Sequence, residues 1–442
     1  MSVSNCLVYE VVYHRAVSGQ LRARSGAPLI PGPTAALSGR CAMSAWLSRF
    51  ALAALCSLVI ANAAASTDVL KHQRQQLAVG NKIYDVSVPT SYRLELLNTA
   101  LDGPRMLTFN DSGELFVGSR SGHVYRLLPP YTRAVSLVYL RGYPHSVTFR
   151  PGEILIAKTD GLYRAPYKAG QSEIPKSAVK LLAPLPGGRG HNSRTVVTGP
   201  DGRVYLSLGL SGNCSDQYLG AGYAFDDRRG GVLVLREEGG KAVWEPYASG
   251  LRNPVGIAWH PATKAFYASN NGPDHWGFEA PPEYFSRLTP GSFHGMPWFQ
   301  YDGGRLKKDG CIDTPSPRPV AEVTPPVATF PARNAPLGVT FVPEGAMDGR
   351  LAGDAIVALH GSWGTKPSGG FFGDPASRRE PKLVAVRFEN GEARRVDNLV
   401  TGFQLKDGDR WARPSGVAIG PDGALYFTSD SGVNGLFRLE RS

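Results

Sequence analysis

Arg194-Thr-Val-Val-Thr198 runs through Gly199-Pro-Asp-Gly202 into Val204-Tyr-Leu206, and Pro414-Ser-Gly-Val-Ala-Ile419 runs through Gly420-Pro-Asp-Gly423 into Leu425-Tyr-Phe427. Each reads as a strand, a tight corner and a second strand, because β-branched and aromatic residues flank a turn built from Gly, Pro and Asp. Four further copies share the plan: Gly103-Pro-Arg-Met-Leu-Thr-Phe109 with Leu115-Phe-Val117, Pro144-His-Ser-Val-Thr-Phe149 with Ile154-Leu-Ile156, Asn253-Pro-Val-Gly-Ile-Ala-Trp259 with Phe266-Tyr-Ala268, and Pro336-Leu-Gly-Val-Thr-Phe341 with Ala355-Ile-Val-Ala358. Further apolar runs such as His123-Val-Tyr-Arg-Leu127 and Leu436-Phe-Arg-Leu439 supply the outer strands. A strand-turn-strand unit repeated along a chain is the mark of a propeller blade. The sequence therefore predicts an all-β, six-bladed β-propeller over roughly 88–441, with long inserted loops at 271–330 and 361–380.

Composition agrees. Of 442 residues, 42% are hydrophobic and 19% charged, with Gly 52 and Pro 35, which excludes a disordered chain or a coiled coil and suits short strands with many turns. The net charge is +11, but Lys and Arg are scattered without a run of four, so a nucleic-acid stripe is not indicated.

The one strongly apolar stretch lies near the start. Met43 to Arg49 gives a short basic region, Phe50–Ala61 an apolar run and Asn62-Ala-Ala-Ala65 the small residues of a cleavage site, so residues 43–65 read as a secretory signal peptide. Residues 1–42 read as a leader that is not translated, and 66–442 as one mature domain, periplasmic or secreted, without a membrane span after cleavage. Residues 1–65 carry +4, leaving +7 on the mature part; Cys6, Cys41 and Cys56 leave with them, and whether Cys214 and Cys311 pair stays open.

In a propeller the first strand of every blade lines the axis, so the residues entering those strands converge. These are Arg105, His145, His191 with Arg194, Arg252 with Asn253, Asn334 and Arg413. Such a ring of guanidinium and imidazole groups repels itself unless an anion neutralises it, and planar guanidinium forks suit carboxylates. An axial pocket for a small polyanion follows.

Six segments in order, Gly190-His-Asn-Ser-Arg194, Gly250-Leu-Arg-Asn-Pro-Val-Gly-Ile-Ala-Trp-His260, Asn270-Asn-Gly-Pro-Asp274, Pro290-Gly-Ser-Phe-His-Gly-Met-Pro-Trp298, His360-Gly-Ser-Trp363 and Arg413-Pro-Ser-Gly-Val417, give the chain from Gly103 to Leu439 its family likeness. It resembles the soluble PQQ-dependent aldose dehydrogenases, most of all their sorbosone-dehydrogenase-like branch. The resemblance implies pyrroloquinoline quinone (PQQ) and Ca²⁺ at the axial mouth. It also implies an aldose or sugar aldehyde as substrate, and a separate electron acceptor such as a quinone, cytochrome or dye. His191 matches the general base, which takes the C1 hydroxyl proton while hydride passes to the quinone. Arg252 and Asn253 match the groups that grip the quinone oxygens, and Arg252 also stabilises the reduced form; Arg413 matches a carboxylate ligand. Gly272 and Pro273 match the backbone carbonyls that hold calcium.

The chain departs from the family pattern at three places. Gly190 stands where an Asp orients the base, Ser415 falls on a second Arg, and the fifth-blade Lys has no clean counterpart, Lys366 lying further on. His360 or Trp363 is the replacement expected to hold the cofactor, Trp363 by stacking, and Lys366 is expected among the cofactor-binding residues as well. Asp274 and Glu283 read as exposed loop carboxylates. Two other functions fit the fold class: a non-catalytic propeller that binds a glycan or partner protein, and a metal-dependent lactonase, which calls for an acidic rather than basic axis.

Overall fold

The structure, a computed structural model, describes residues 70–442; the leader and signal-peptide assignments fall outside the described residues. Six antiparallel sheets follow one another along the chain, with no α-helix among the described residues. Their innermost strands are Pro104–Phe109, Pro144–Arg150, Val196–Thr198, Pro254–Trp259, Pro336–Phe341 and Ala412–Ile419, which pack side by side around the axis. The predicted propeller is the observed fold, and all six repeat copies supply the first two strands of a blade.

The sixth blade closes the ring. Phe427 and Phe437 stack with centroids 4.8 Å apart. Ten residues of straight strand would span about 33 Å, so the segment Leu425–Arg441 folds back on itself. Its first half pairs with Ala412–Ile419 and its second with Tyr92–Asn98, so the last blade takes its outermost strand from the beginning of the domain. A separate hairpin, His72–Val79 with Lys82–Pro89, precedes that strand and meets the fifth blade through a bridge between Ser87 and Thr401.

The repeated Pro-x-Gly has a packing cause. A Cβ on Gly338 would stand 2.6 Å from the Ser415 carbonyl oxygen, and Gly256 and Gly416 meet the Leu337 and Arg105 carbonyls in the same way. Three seams therefore need glycine because the next blade's backbone occupies the space. Hydroxyls fasten the seams: Thr108 donates to the Val147 carbonyl (3.0 Å), Ser146 to Arg194 (2.8 Å), Ser269 to Leu337 (2.6 Å) and Thr428 to Arg105 (2.6 Å). Leu, Val, Ile and aromatic residues fill the space between adjacent blades, as with Leu155 and Ala157 against Val196, Leu206 and Leu233.

The two Pro-Asp-Gly corners are built alike. Asp201 and Asp422 each accept from the backbone N–H two residues on, at 3.1 and 3.2 Å, and from Tyr205 and Tyr426 hydroxyls, both at 2.7 Å. One expectation is corrected: 271–330 is not simply a loop, since it contains Glu283–Leu288 and Ala328–Phe330, the third and fourth strands of the fourth blade.

Candidate functional site

Strand pairing shows which residues share a level along the axis. Pro104, Pro144, Pro254, Pro336 and Pro414 lie opposite Ser119, Lys158, Asn270, Leu359 and Ser429, and are therefore equivalent. Arg105 and His145 follow this level and Arg194 is their counterpart; all three are buried. His191, Arg252, Asn253, Asn334 and Arg413 precede it. The single ring expected from sequence is thus two tiers, because alignment by composition drifted past the one-residue precision that a strand demands.

The lower tier is structural. Arg105 is ion-paired with Asp430, and only 2% of either side chain is exposed. Arg194 donates to the carbonyls of His191 (2.8 Å), Ser193 (2.7 Å) and Pro186 (3.0 Å), clamping the loop that carries His191. His145 is not a cation: burial, followed by Arg105, holds it well below the usual imidazole range.

In the upper tier, His191 Nδ1 donates to the Leu210 carbonyl at 2.7 Å, and the Leu210 N–H donates to the Arg252 carbonyl at 2.8 Å. A backbone carbonyl thus does the orienting that Gly190 cannot. Nε2 makes no hydrogen bond among the described residues, and its lone pair is open. Burial and then Arg252, with Arg229 and Arg194 adding to it, push His191 down to about 3. A Cβ on Gly209 would sit 2.6 Å from His191 Cβ and 2.8 Å from Asn253 Oδ1, so this glycine is what lets the imidazole and the amide approach.

Arg252 is buried and donates to Asn213 Oδ1 at 2.8 Å, with Asp274 Oδ2 at 3.3 Å; Asp274 also pairs with Arg333. Burial lowers Arg252 despite Asp274 and Glu283. Arg413 donates to the carbonyls of His360 and Gly361, both at 2.9 Å, and Arg410 to that of Ser362 at 2.7 Å. Neither has a carboxylate partner among the described residues; burial and then Arg410 bring Arg413 down to about 9. His360 Nε2 lies 2.6 Å from Asp430 Oδ1. Burial opposes the Asp430 charge, yet His360 and Arg105 hold it well below the carboxylate range.

Gly272 and Pro273 are buried, and neither carbonyl accepts a hydrogen bond among the described residues. The Gly272 N–H donates to Glu283, which is buried rather than an exposed loop carboxylate; burial pushes it up to about 7. Two free carbonyls beside a buried carboxylate form a hard-oxygen set of the kind calcium takes. Arg413 and Arg410, without a carboxylate partner among the described residues, likewise fit a polycarboxylate quinone.

Other expected groups stand apart. Asn334 Nδ2 donates to the Glu380 carbonyl at 3.0 Å. Lys366 pairs with Glu279 at 3.2 Å. Trp363 is 41% exposed and lies against Phe371 with centroids 4.6 Å apart, so it is not core. A cleft of about 530 Å³ is lined by Asn334, Lys366, Arg378, Arg379, Glu380 and Lys382. Sequence reasoning missed Asp430, Arg410 and Arg333. Asp430 had a readable signal: in an antiparallel pair the second strand ends where the first begins, so Arg120, Asn271, His360 and Asp430, each following a second-strand residue opposite Pro104, Pro254, Pro336 or Pro414, also arrive at the mouth.

Fold and site together define a six-bladed propeller with a cationic, imidazole-bearing axial mouth. A family model described as TrAA12-like matches residues 317–441. A protein of Borreliella burgdorferi, itself described as uncharacterized, is 24% identical over 371 residues, covering 80% of this chain and 90% of that one. Among solved structures, the calcium structure of the Trichoderma reesei Carbohydrate-Active Enzymes Family AA12 protein is 18% identical, with 85% of this chain and 100% of that one covered and a TM-score of 0.68. The holo form of the pyranose dehydrogenase PQQ domain from Coprinopsis cinerea is 19% identical over 81% of this chain and 97% of that one, at 0.65. The PQQ-bound aldose sugar dehydrogenase from Streptomyces coelicolor is 17% identical over 80% and 100%, at 0.53. At these identities the likeness establishes the propeller fold. No helix among the described residues is long and apolar enough to cross a membrane.

Proposed function

We propose that this chain is a periplasmic or secreted PQQ-dependent dehydrogenase that oxidises an aldose or sugar aldehyde and passes electrons to a separate acceptor. The observation that carries the reading is the upper tier itself: a neutral His191 with a free nitrogen beside Arg252, and on the same tier Arg413 and Arg410 with no carboxylate partner among the described residues. Similarity to PQQ-binding sugar dehydrogenases supports it at the level of the scaffold.

When bound, the quinone is the two-electron sink for the sugar carbon. Arg252 and Asn253 bind its oxygens, and Arg413 with Arg410 its carboxylates, where planar forks match the anion. His360 would contribute through its carbonyl, which accepts from Arg413, and through Asp430; Trp363 and Lys366, held against Phe371 and Glu279, would have to turn toward the mouth to touch the cofactor. The carbonyls of Gly272 and Pro273 would hold calcium, which would polarise the quinone as a Lewis acid. His191 would accept the substrate hydroxyl proton at Nε2 while its Nδ1–H stays bonded to the Leu210 carbonyl; the ring becomes an imidazolium and returns to the same Nδ1–H tautomer once the Nε2 proton leaves. A bound anion offsets Arg252, which raises the basicity of His191 at the moment it is needed.

Titrating the apoprotein with PQQ, with and without Ca²⁺, and following quinone absorbance tests binding; dye reduction with a panel of sugars and aldehydes tests turnover. Saturable binding that weakens in Arg252→Ala and Arg413→Ala is expected. Absence of binding overturns the reading, and binding with no turnover would assign a non-catalytic propeller.

A further inference from the structure

Cys214 and Cys311, 97 positions apart in sequence, are joined by a disulfide, with Cα atoms 5.9 Å apart. They do not stand alone. His275 and Asp309 lie beside them, and the four donor atoms are all within 4.8 Å of one another. Asp309 is a fully buried carboxylate; one oxygen takes His275 Nε2 at 2.5 Å, the other accepts from Gln300 Nε2 at 2.7 Å. That contact keeps the ring proton on Nε2. Nδ1 is then a lone pair that faces Asn213 Nδ2 at 3.3 Å, and Cys214 Sγ lies beside the ring, 3.5 Å from Nδ1 and 4.0 Å from Nε2, so the imidazole has to turn to share a cation with the sulfur.

A carboxylate behind one nitrogen of an imidazole is the supporting arrangement of zinc-bound histidines, and here a sulfur lies within reach of the other nitrogen. With Zn–S near 2.3 Å and Zn–N near 2.0–2.1 Å, tetrahedral donors stand about 3.3–3.8 Å from each other, a range that includes the observed sulfur–nitrogen distance. Two thiolates and an imidazole are also the soft set that selects zinc over calcium or magnesium.

We propose that reduction of the disulfide converts this cluster into a binding site for a zinc-class divalent cation, held by Cys214, Cys311 and His275 Nδ1, with Asp309 orienting the ring and water in the fourth position. A dithiol supplies two electrons and two protons to the sulfur–sulfur bond and becomes a disulfide itself; two thiols result. The cation displaces both thiol protons to solvent, and its oxidation state does not change. The oxidised pair has no thiolate, so the site exists in one redox state only. It adjoins the mouth, because Asn213 and Asp274, the neighbours of Cys214 and His275, are the groups that contact Arg252. The site does not depend on the quinone reading.

The mature chain from residue 66 onward, whose only cysteines are Cys214 and Cys311, is reduced with dithiothreitol, freed of it anaerobically, shown to carry two thiols and titrated with Co²⁺. One equivalent should bind with a thiolate-to-cobalt absorption and a tetrahedral visible band, and Zn²⁺ should displace it. The oxidised chain should show neither band. Cys214→Ser and His275→Ala should weaken uptake at least tenfold, and Asp309→Asn about 10–100-fold with the bands retained. His275→Ala leaves the disulfide intact, so its fold can be verified before reduction. No stoichiometric uptake by the reduced chain, or uptake indifferent to His275→Ala, as thiols on an unfolded chain would give, overturns the proposal.

Discussion

Replacing Asp430 by Asn tests whether the mouth is a charge-balanced assembly. The carboxylate is almost fully buried and serves Arg105, with His360 Nε2 2.6 Å away and Arg120 at 3.8 Å. Asn keeps the shape and one acceptor but leaves the Arg105 charge buried without a counter-ion. Breaking one side of such a pair costs about 3–5 kcal/mol. For the 373 described residues the unfolding entropy is about 0.8 kcal/mol/K, so the midpoint should fall by roughly 5 °C. Calorimetry at pH 7 and low salt would measure it. Combining Asp430→Leu with Arg105→Met removes both charges and should recover at least half of the loss. If Asp430→Asn melts within about 1 °C of the parent, or if the double variant is worse than the single, the account of Arg105 as a charge that Asp430 must neutralise is wrong.

Gly209→Ala should move His191 and Asn253 apart, since the added carbon would stand 2.6 and 2.8 Å from them; overpacking costs about 1–3 kcal/mol, and kcat should drop at least tenfold with the fold intact by circular dichroism. His191→Ala should keep PQQ bound and lower kcat by about 10²–10⁴. In the apoprotein the His191 ring, held near about 3 by burial and Arg252, should remain the neutral Nδ1–H tautomer down to pH 5 by ¹⁵N NMR; a midpoint near 6.5 would contradict the site described. His294 and His360 are held to about 4 by burial, below the ~6.5 of an unfolded chain. The unfolded chain therefore binds more protons below pH 6.5, and stability should fall from pH 6.5 toward 4, by about 3 kcal/mol per group at the bottom of that range. Urea midpoints across the window should show the slope, and His294→Gln should flatten it.

The fold was legible because blades repeat: Pro-x-Gly-Val at 336–339 and 414–417 reports that the neighbouring backbone fills the place of a side chain, a demand that recurs with the architecture. The site was legible only in part. His191, Arg252 and Asn253 announce themselves next to strand starts, and the structure brings them together around Leu210 and Gly209. Arg105 and His145 looked equivalent to them, yet a shift of one to three residues along a strand separates a ligand-facing group from one locked inside. Glu283 and Asp430 give no local sign of burial, since the groups that surround them come from segments 11 to 325 residues distant. The partner of Lys366 was not legible either, since Glu279 lies in a different inserted segment.

The strand exchange in the last blade has a consequence for when the mouth comes into being. Arg105 belongs to the first blade, whereas Arg413 and Asp430 belong to the sixth, which is completed by Tyr92–Asn98 lying against Leu436–Arg441. During synthesis on the ribosome, the early blades can stack as they emerge, but Arg105 waits for its counter-ion until some three hundred further residues have been made. Any nascent or clipped chain without that final hairpin carries an uncompensated buried charge and an open seam, so binding of an anion at the axis would report finished molecules alone.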